Sequence, residues 1–275
     1  MGSPDYINWP TNGPYFDKQH PLAQGCHAWC FNPSWYSANL IPEYQGKNIA
    51  TRVATDVLWT SRGLHYDGDH TPSPAVSVPY SPEIAGGTSN FTWGALMHFP
   101  VAMQNIQTLV DTRNAALNTG LNIFTGTHAV ASTKFDFDLG DGVNDRYRGM
   151  YGPALNDAQW HLLILAVDRG NAKAHYYLDG VLAAGDIDIS ATAGSIDAGE
   201  PLRIGGHVAN THTCHLGYYA ASFWWQPRVL RASEVAQLAA DPFRLFRRKE
   251  IAYFFGPTAV AGNRRRRLLI CGAAA

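Results

Sequence analysis

Residues 160–185, WHLLILAVDRGNAKAHYYLDGVLAAG, decide the fold. The run from His161 to Val167 is continuously apolar and only strand-length, which predicts a strand buried on both faces rather than an amphipathic helix. Asp168, Arg169, Gly170 and Asn171 interrupt it. The pattern then resumes as Ala174–Leu178, stops at Asp179-Gly180 and restarts at Val181. Asp-Gly between two strand-like runs predicts a two-residue hairpin turn, because both turn positions need positive φ and glycine adopts it without a Cβ clash. The stretch therefore reads as three antiparallel strands, with Asp179 a turn residue rather than a chemical one.

The same grammar extends outward. NFTWGALMHFPV, IQTLVDTR, LNIFTGTH and KFDFDLGD are runs separated by Gly, Asn and Pro, and LRIGGH and YYAASFWW supply two more. Short strands at this spacing predict a β-sandwich. SRGLHYDGDHTPSPAVSVPYSPEI adds two strand-like pieces around Asp67-Gly68 and holds too much proline for a helix. The one helix expected is ASEVAQLAADP, with Ser233 as its cap, Val235 and Leu238 on its buried face, and Pro242 ending it. Residues 1–19 read as an irregular arm, 20–250 as one domain and 251–275 as a tail.

Composition agrees with an all-β chain. Of 275 residues, 16% are charged and 12% are Trp, Tyr or Phe, with 26 Gly and 16 Pro. No secretion signal opens the sequence, and no apolar run reaches membrane-spanning length, which predicts a chain made in a cytoplasm with no membrane partner. Cys26, Cys30, Cys214 and Cys271 lack the spacing of a disulfide framework or zinc ribbon and read as reduced thiols. Residues 244–275 carry eight Lys or Arg and one Glu, leaving a body at −8 against a tail at +7. Arg264, Arg265, Arg266 and Arg267, flanked by apolar IAYFF with Tyr253, Phe254 and Phe255, suit a clasping contact with another subunit better than nucleic acid, which the acidic body repels.

The order Trp-His, hydrophobic strand, Tyr-x-Asp-Gly, Ile-Gly strand, aromatic strand and late helix resembles the laminin-G-like, concanavalin A-like jelly rolls over roughly residues 20–245. DPFRLFRRKE and the basic tail are similar to endings of phage virion proteins that carry this domain. The resemblance implies a non-enzymatic virion component, decorating a capsid or tail as a homo-oligomer among other virion proteins, made in the host cytoplasm. The alternative it implies is a carbohydrate-binding adhesion module, with or without calcium.

Candidate chemistry is sparse. Asp136 and Asp138 alternate onto one strand face and imitate a glycosidase carboxylate pair, although solvent-facing strand charge explains them more simply. With Asp141, Asn144 and Asp145 they also form the calcium candidate. His207, His212, Cys214 and His215 are capable of holding zinc, but read as loop residues. Trp93, Tyr218, Tyr219, Trp224 and Trp225 are the rings for stacking on a sugar, with alternation expected to send one of each adjacent pair inward. Nucleophile elbows, phosphate loops and dinucleotide fingerprints are missing, so no cofactor is expected, with calcium the one alternative.

Overall fold

A computed structural model describes residues 16–31, 40–41, 50–52, 57–67, 76–103, 106–114, 116, 118–126, 133–146, 149–207 and 213–246. The tail residues Tyr253, Phe254, Phe255, Arg264, Arg265, Arg266 and Arg267 lie outside them, as does His212. In chain order the strands are β1 (Cys26–Cys30), β2 (Leu40–Ile41), β3 (Ala50–Arg52), β4 (Leu58–Thr60), β5 (Gly63–Asp67), β6 (Val76–Val78), β7 (Phe91–His98), β8 (Gln107–Asp111) and β9 (Thr119–Thr125). They continue as β10 (Lys134–Asp141), β11 (Asp145–Arg146), β12 (Tyr151–Ala154), β13 (Trp160–Asp168), β14 (Lys173–Leu178), β15 (Val181–Asp188), β16 (Leu202–Ile204), β17 (Thr213–Cys214) and β18 (Leu216–Trp225).

Among the described residues these build two sheets. The first runs β15-β14-β13-β7-β18-β5-β4, with β1 also on β18; the second runs β11-β10-β9-β8-β16-β6-β3-β2, with β12 on β10 and β17 on β8. Apart from the parallel β17–β8 pair, the ladders are antiparallel. The opening stretch behaves as its pattern predicts. β13 lies between β7 and β14, and Asp179 and Gly180 turn the β14–β15 hairpin at φ 51° and 86°.

The first sheet is apolar on both faces, which explains the unbroken hydrophobic runs in β13 and β18. Its inner face, with Trp93, Met97, Leu163, Leu165, Tyr176, Tyr219 and Trp224, meets Leu121, Ile123, Phe135, Phe137, Leu139 and Ile204 of the second sheet. Its outer face, with Leu96, Leu162, Ile164, Phe223 and Trp225, is covered by Phe16, Leu22, Val235, Leu238, Phe243, Leu245 and Phe246. The two chain segments meet there: the Asp17 N–H donates to the Leu245 carbonyl at 2.9 Å, and Phe16 packs on Phe246. Cys26 and Cys30 are buried in the same layer.

The single α-helix among the described residues, α1 (Ala232–Ala240), supplies Val235 and Leu238 to that layer. Ser233 does not cap it. The helix starts two residues earlier, with Arg231 as its cap, and Glu234 closes its first turn by accepting from the Arg231 N–H at 2.9 Å while also meeting the Arg228 guanidinium. A glutamate three residues into the helix reaches the cap N–H that a serine inside the first turn cannot.

Candidate functional site

Alternation along the central strands of the second sheet sends the large apolar side chains inward and a set of polar ones outward. Ladder pairing puts Asp138 beside Asn122, Asn122 beside Asp111, and Asp111 beside Arg203. A bulge at Leu109 resets the alternation on β8, so both Thr108 and Asp111 face outward while Leu109 and Val110 pack in the core. The result is a polar row across four strands, about 14 Å long at the usual strand spacing.

The floor of this row is dry. Asp111 and Asn122 are fully buried, and Asp138 is 6% exposed. Burial costs a carboxylate its hydration, so each needs a partner. Arg113 supplies one: its Nη1 lies 3.4 Å from Asp138 Oδ2, and its Nε lies 3.8 Å from Asp111 Oδ1. Its Nη2 lies 2.8 Å from His207 Nε2. A guanidinium only donates, so that imidazole nitrogen accepts and His207 is neutral in this arrangement. Two glycines allow the geometry. Gly120, at φ 124°, and Gly140 face each other on β9 and β10; a Cβ on Gly120 would stand 2.6 Å from the Arg113 Cα, and one on Gly140 would stand 2.1 Å from the Asn118 carbonyl oxygen. The connection after β8 therefore lies flat on the sheet and carries Arg113 over the carboxylates.

Above the floor is a more accessible layer. Glu200 accepts from Asn114 Nδ2 at 3.2 Å through Oε1 and from Arg203 Nη2 at 3.0 Å through Oε2. Arg203 Nη1 and both polar atoms of the Asn122 amide are buried without a hydrogen-bond partner. Such a face offers carboxylate acceptors, guanidinium donors and an amide that does both, in fixed positions. This is the chemistry that recognises hydroxyl-rich ligands.

The sequence-named candidates fare unevenly. Asp136 and Asp138 share a face as predicted, but they are buried, not solvent-facing. Asp136 Oδ1 accepts from the Phe137 and Gly149 N–H groups at 2.8 and 2.9 Å, and Asp138 pairs with Arg113. Asp141 is tied into its turn, Oδ1 accepting from Val143 and Asn144 and Oδ2 from Gly194. Partial desolvation pushes its carboxyl up, but these N–H groups and Arg169 outweigh it and hold it below the ordinary carboxylate range. Asp145 is hydrogen-bonded by Asn118, and Asn144 is exposed. Among the described residues no three His, Cys, Asp or Glu side chains are placed to hold a metal ion. The calcium set is thus split between a sheet face and a closed turn.

The zinc set is split as well. His207 meets Arg113, whereas His215 is buried among Phe99, Tyr66 and Tyr219, where burial pushes its imidazole down to about 3 and keeps it neutral.

Four of the five sugar-stacking candidates are corrected outright. Trp93, Tyr219, Trp224 and Trp225 have no exposed surface. Alternation does turn Trp224 and Trp225 to opposite faces, but both faces of the first sheet are sealed. A bulge at Ala220 also lets Tyr219 and Trp224, an odd and an even position, face the same core. Tyr218 alone is partly exposed, against His65, His98 and Trp160, with the Arg62 guanidinium 5.4 Å from its ring centre.

Asp179 does more than turn the chain. Its Oδ1 accepts from the Leu162 N–H at 2.8 Å and its Oδ2 meets His161 Nδ1 at 2.8 Å, while His161 Nε2 lies 3.0 Å from Asp157. Burial alone would lower the His161 pKa; the two carboxylates outweigh it and raise it. Trp-His and Tyr-Leu-Asp-Gly are thus two halves of one clamp.

Arg113, Asn114, Asn122, Asp111 and Arg203 escaped the sequence reading as site residues. The signal was present as polar residues in or beside the apolar runs LVDTR, LNIF and LRI, but nothing in one strand says which strands become neighbours.

No curated protein sequence matches this chain. Its fold is similar to the sialidase of Trypanosoma rangeli, at 13% identity and TM-score 0.59, over 80% of this chain and 33% of the sialidase. It is also similar to the binding domain of Paraclostridial Mosquitocidal Protein 1, at 14% identity and TM-score 0.53 over 79% of this chain and 52% of that one. A third likeness is to botulinum neurotoxin type C, described as dependent on interaction with two ganglioside molecules to enter cells, at 11% identity and TM-score 0.54 over 77% and 50%. The chain spans about a third to a half of these proteins, and identities this low speak for the fold alone. A laminin-G family model, described as concanavalin A-like lectin/glucanases superfamily, matches residues 69–236, more than half of the sequence. Together with the two antiparallel sheets and the hairpin clamp, that match places the chain in the concanavalin A-like lectin/glucanases superfamily as a laminin-G-type domain.

Proposed function

We propose that this domain is a non-enzymatic carbohydrate-binding module whose ligand lies on the outward face of the second sheet. The observation that carries the reading is the contrast between the two sheets. The first is sealed by apolar packing on both faces, while the second carries a more accessible layer of Arg203, Glu200, Asn114 and Arg113, fixed from beneath by the buried Asp138 and Asp111. Guanidinium, amide and carboxylate groups held by one another are preorganised for sugar hydroxyls and lose little freedom on binding. A mosquitocidal-toxin binding domain and a neurotoxin that interacts with gangliosides share the fold, which agrees with adhesion and assigns no glycan.

Catalysis fits the row less well. A glycosidase needs one carboxyl free to donate a proton and another free to attack or to activate water. Asp136 is engaged by two backbone N–H groups, and Asp138 is held by Arg113.

A virion role rests on the sequence of the ending and the basic tail, and the comparisons lend it nothing. It remains compatible with glycan adhesion as the setting in which such a module is displayed.

The test is a glycan array of neutral and acidic oligosaccharides, with and without a chelator, probed with the wild type, Glu200→Gln and Arg203→Ala. Saturable, chelator-insensitive binding that falls at least about tenfold in either variant, with thermal unfolding still cooperative, is expected. Absence of saturable binding, or binding untouched by both substitutions, would refute the assignment.

A further inference from the structure

An acid-bearing sugar is recognised by cationic donors that the protein has not already committed to its own carboxylates. The guanidiniums of the second sheet are committed. Arg113 turns Nη1 to Asp138, Nε to Asp111 and Nη2 to His207, and its side chain is 13% exposed. Arg203 gives Nη2 to Glu200 at 3.0 Å, and its Nη1 is closed off from solvent. A carboxylate or sulfate arriving from solvent would have to displace one of the chain's own carboxylates, exchanging one charge-assisted pair for another. The group nearest solvent has the opposite sign: Glu200, at 28%, is the most exposed of the three charged side chains in the layer. Each of its oxygens accepts one hydrogen bond from the chain, from Asn114 and from Arg203, which leaves about two lone pairs for a ligand. The amide oxygen of Asn114 is taken by the Ala116 N–H at 3.1 Å. Asp197 stands three residues before Glu200, at most about 11 Å away along the chain, and accepts from the exposed Tyr80 hydroxyl at 2.8 Å.

We infer that this face takes uncharged, hydroxyl-rich sugars and rejects acid-bearing ones, with Glu200 as the residue that sets the selectivity. The inference rests on the carbohydrate-binding reading above and adds the class of sugar. A sugar hydroxyl donates to the remaining lone pairs of Glu200. The carboxylate of a sialic or uronic acid, or a sulfate ester, brings acceptors only, so it opposes Glu200 in hydrogen bonding and in charge alike. Like unit charges held about one sugar ring apart in a partly solvated site weaken binding about tenfold.

Titration of the full chain with matched oligosaccharides tests the selectivity at low and at high salt: lactose and sialyllactose, gluco- and glucurono-oligosaccharides, neutral and sulfated galactosides. The wild type should favour the neutral member by at least about tenfold at low salt, and added salt should narrow the gap by strengthening the acidic member alone. Glu200→Gln, whose uncharged amide both donates and accepts, should narrow the ratio at least about fivefold whatever the change in absolute affinity, with unfolding still cooperative. Where that variant binds too weakly to titrate, the salt response of the wild type reads the same repulsion. An acidic member bound as tightly as its neutral counterpart, or a ratio that ignores both salt and Glu200→Gln, overturns the selectivity and leaves the carbohydrate-binding reading standing. Absence of saturable binding to every member of every pair overturns that reading, and the selectivity with it.

Discussion

Replacing Asn122 with leucine separates the packing of the second sheet from the binding layer above it. Asn122 sits at the centre of β9, with no exposed surface and no partner for Nδ2 or Oδ1. An amide buried without hydrogen bonds costs roughly 1–3 kcal/mol by the measure of mutational studies, and leucine of similar shape removes that cost without breaking any bond. Asn122→Leu should therefore stabilise the domain by about 1–3 kcal/mol. At about 2–4 °C per kcal/mol for a domain of this class, the thermal midpoint rises by several degrees. Because Asn122 has no exposed surface, the same substitution should leave glycan binding by the layer above it within about twofold. Calorimetry and a binding titration on the same two proteins read both effects. Destabilisation of about 1 kcal/mol or more would show that the amide is satisfied in the folded protein, and a loss of binding of about tenfold in a stabilised variant would show that the ligand reaches the buried floor.

Three further outcomes follow from the packing. Asp179→Asn keeps a carbonyl for the Leu162 N–H and tolerates φ 51°, but loses the charge facing His161; with Asp179 half exposed the cost is about 1 kcal/mol in acid, measured by urea unfolding. Because the folded state raises the His161 pKa, this clamp contributes fully below the ordinary imidazole value of 6.5 and is lost as pH rises through the raised value. Wild-type stability should accordingly decline on the alkaline side, with a flatter profile in Asp179→Asn. Trp224→Ala, which removes a ring stacked on Phe91 at 5.0 Å inside the intersheet core, should cost about 3–5 kcal/mol in thermal unfolding; a stable variant with selectively lost sugar binding would contradict its burial.

The sequence went far on its own for the fold. Unbroken runs such as His161–Val167, turn pairs such as Asp179-Gly180 and the late amphipathic helix carry their meaning locally, because strand alternation, positive φ and helix periodicity act over a few residues. They fixed an antiparallel sandwich with a hairpin at Asp179. The turn role of Asp179 is likewise legible locally. What its carboxylate does was invisible, because His161 lies 18 positions away in sequence and meets it only when β13 and β14 pair.

The site belongs to tertiary structure. Asp138, Asn122, Asp111 and Arg203 come from four strands and share a row only because of the order β10-β9-β8-β16 and the bulge at Leu109. The aromatic pairs that looked like sugar platforms fail for a related reason. Alternation tells which side of a strand a ring is on, but whether that side meets water depends on what covers it, and Phe16, Phe243 and α1 arrive from the distant ends of the chain. Sequence determined which residues can alternate, turn and pack; the assembled sheets decided which polar residues stand together and which faces are closed, because both depend on contacts between segments far apart along the chain.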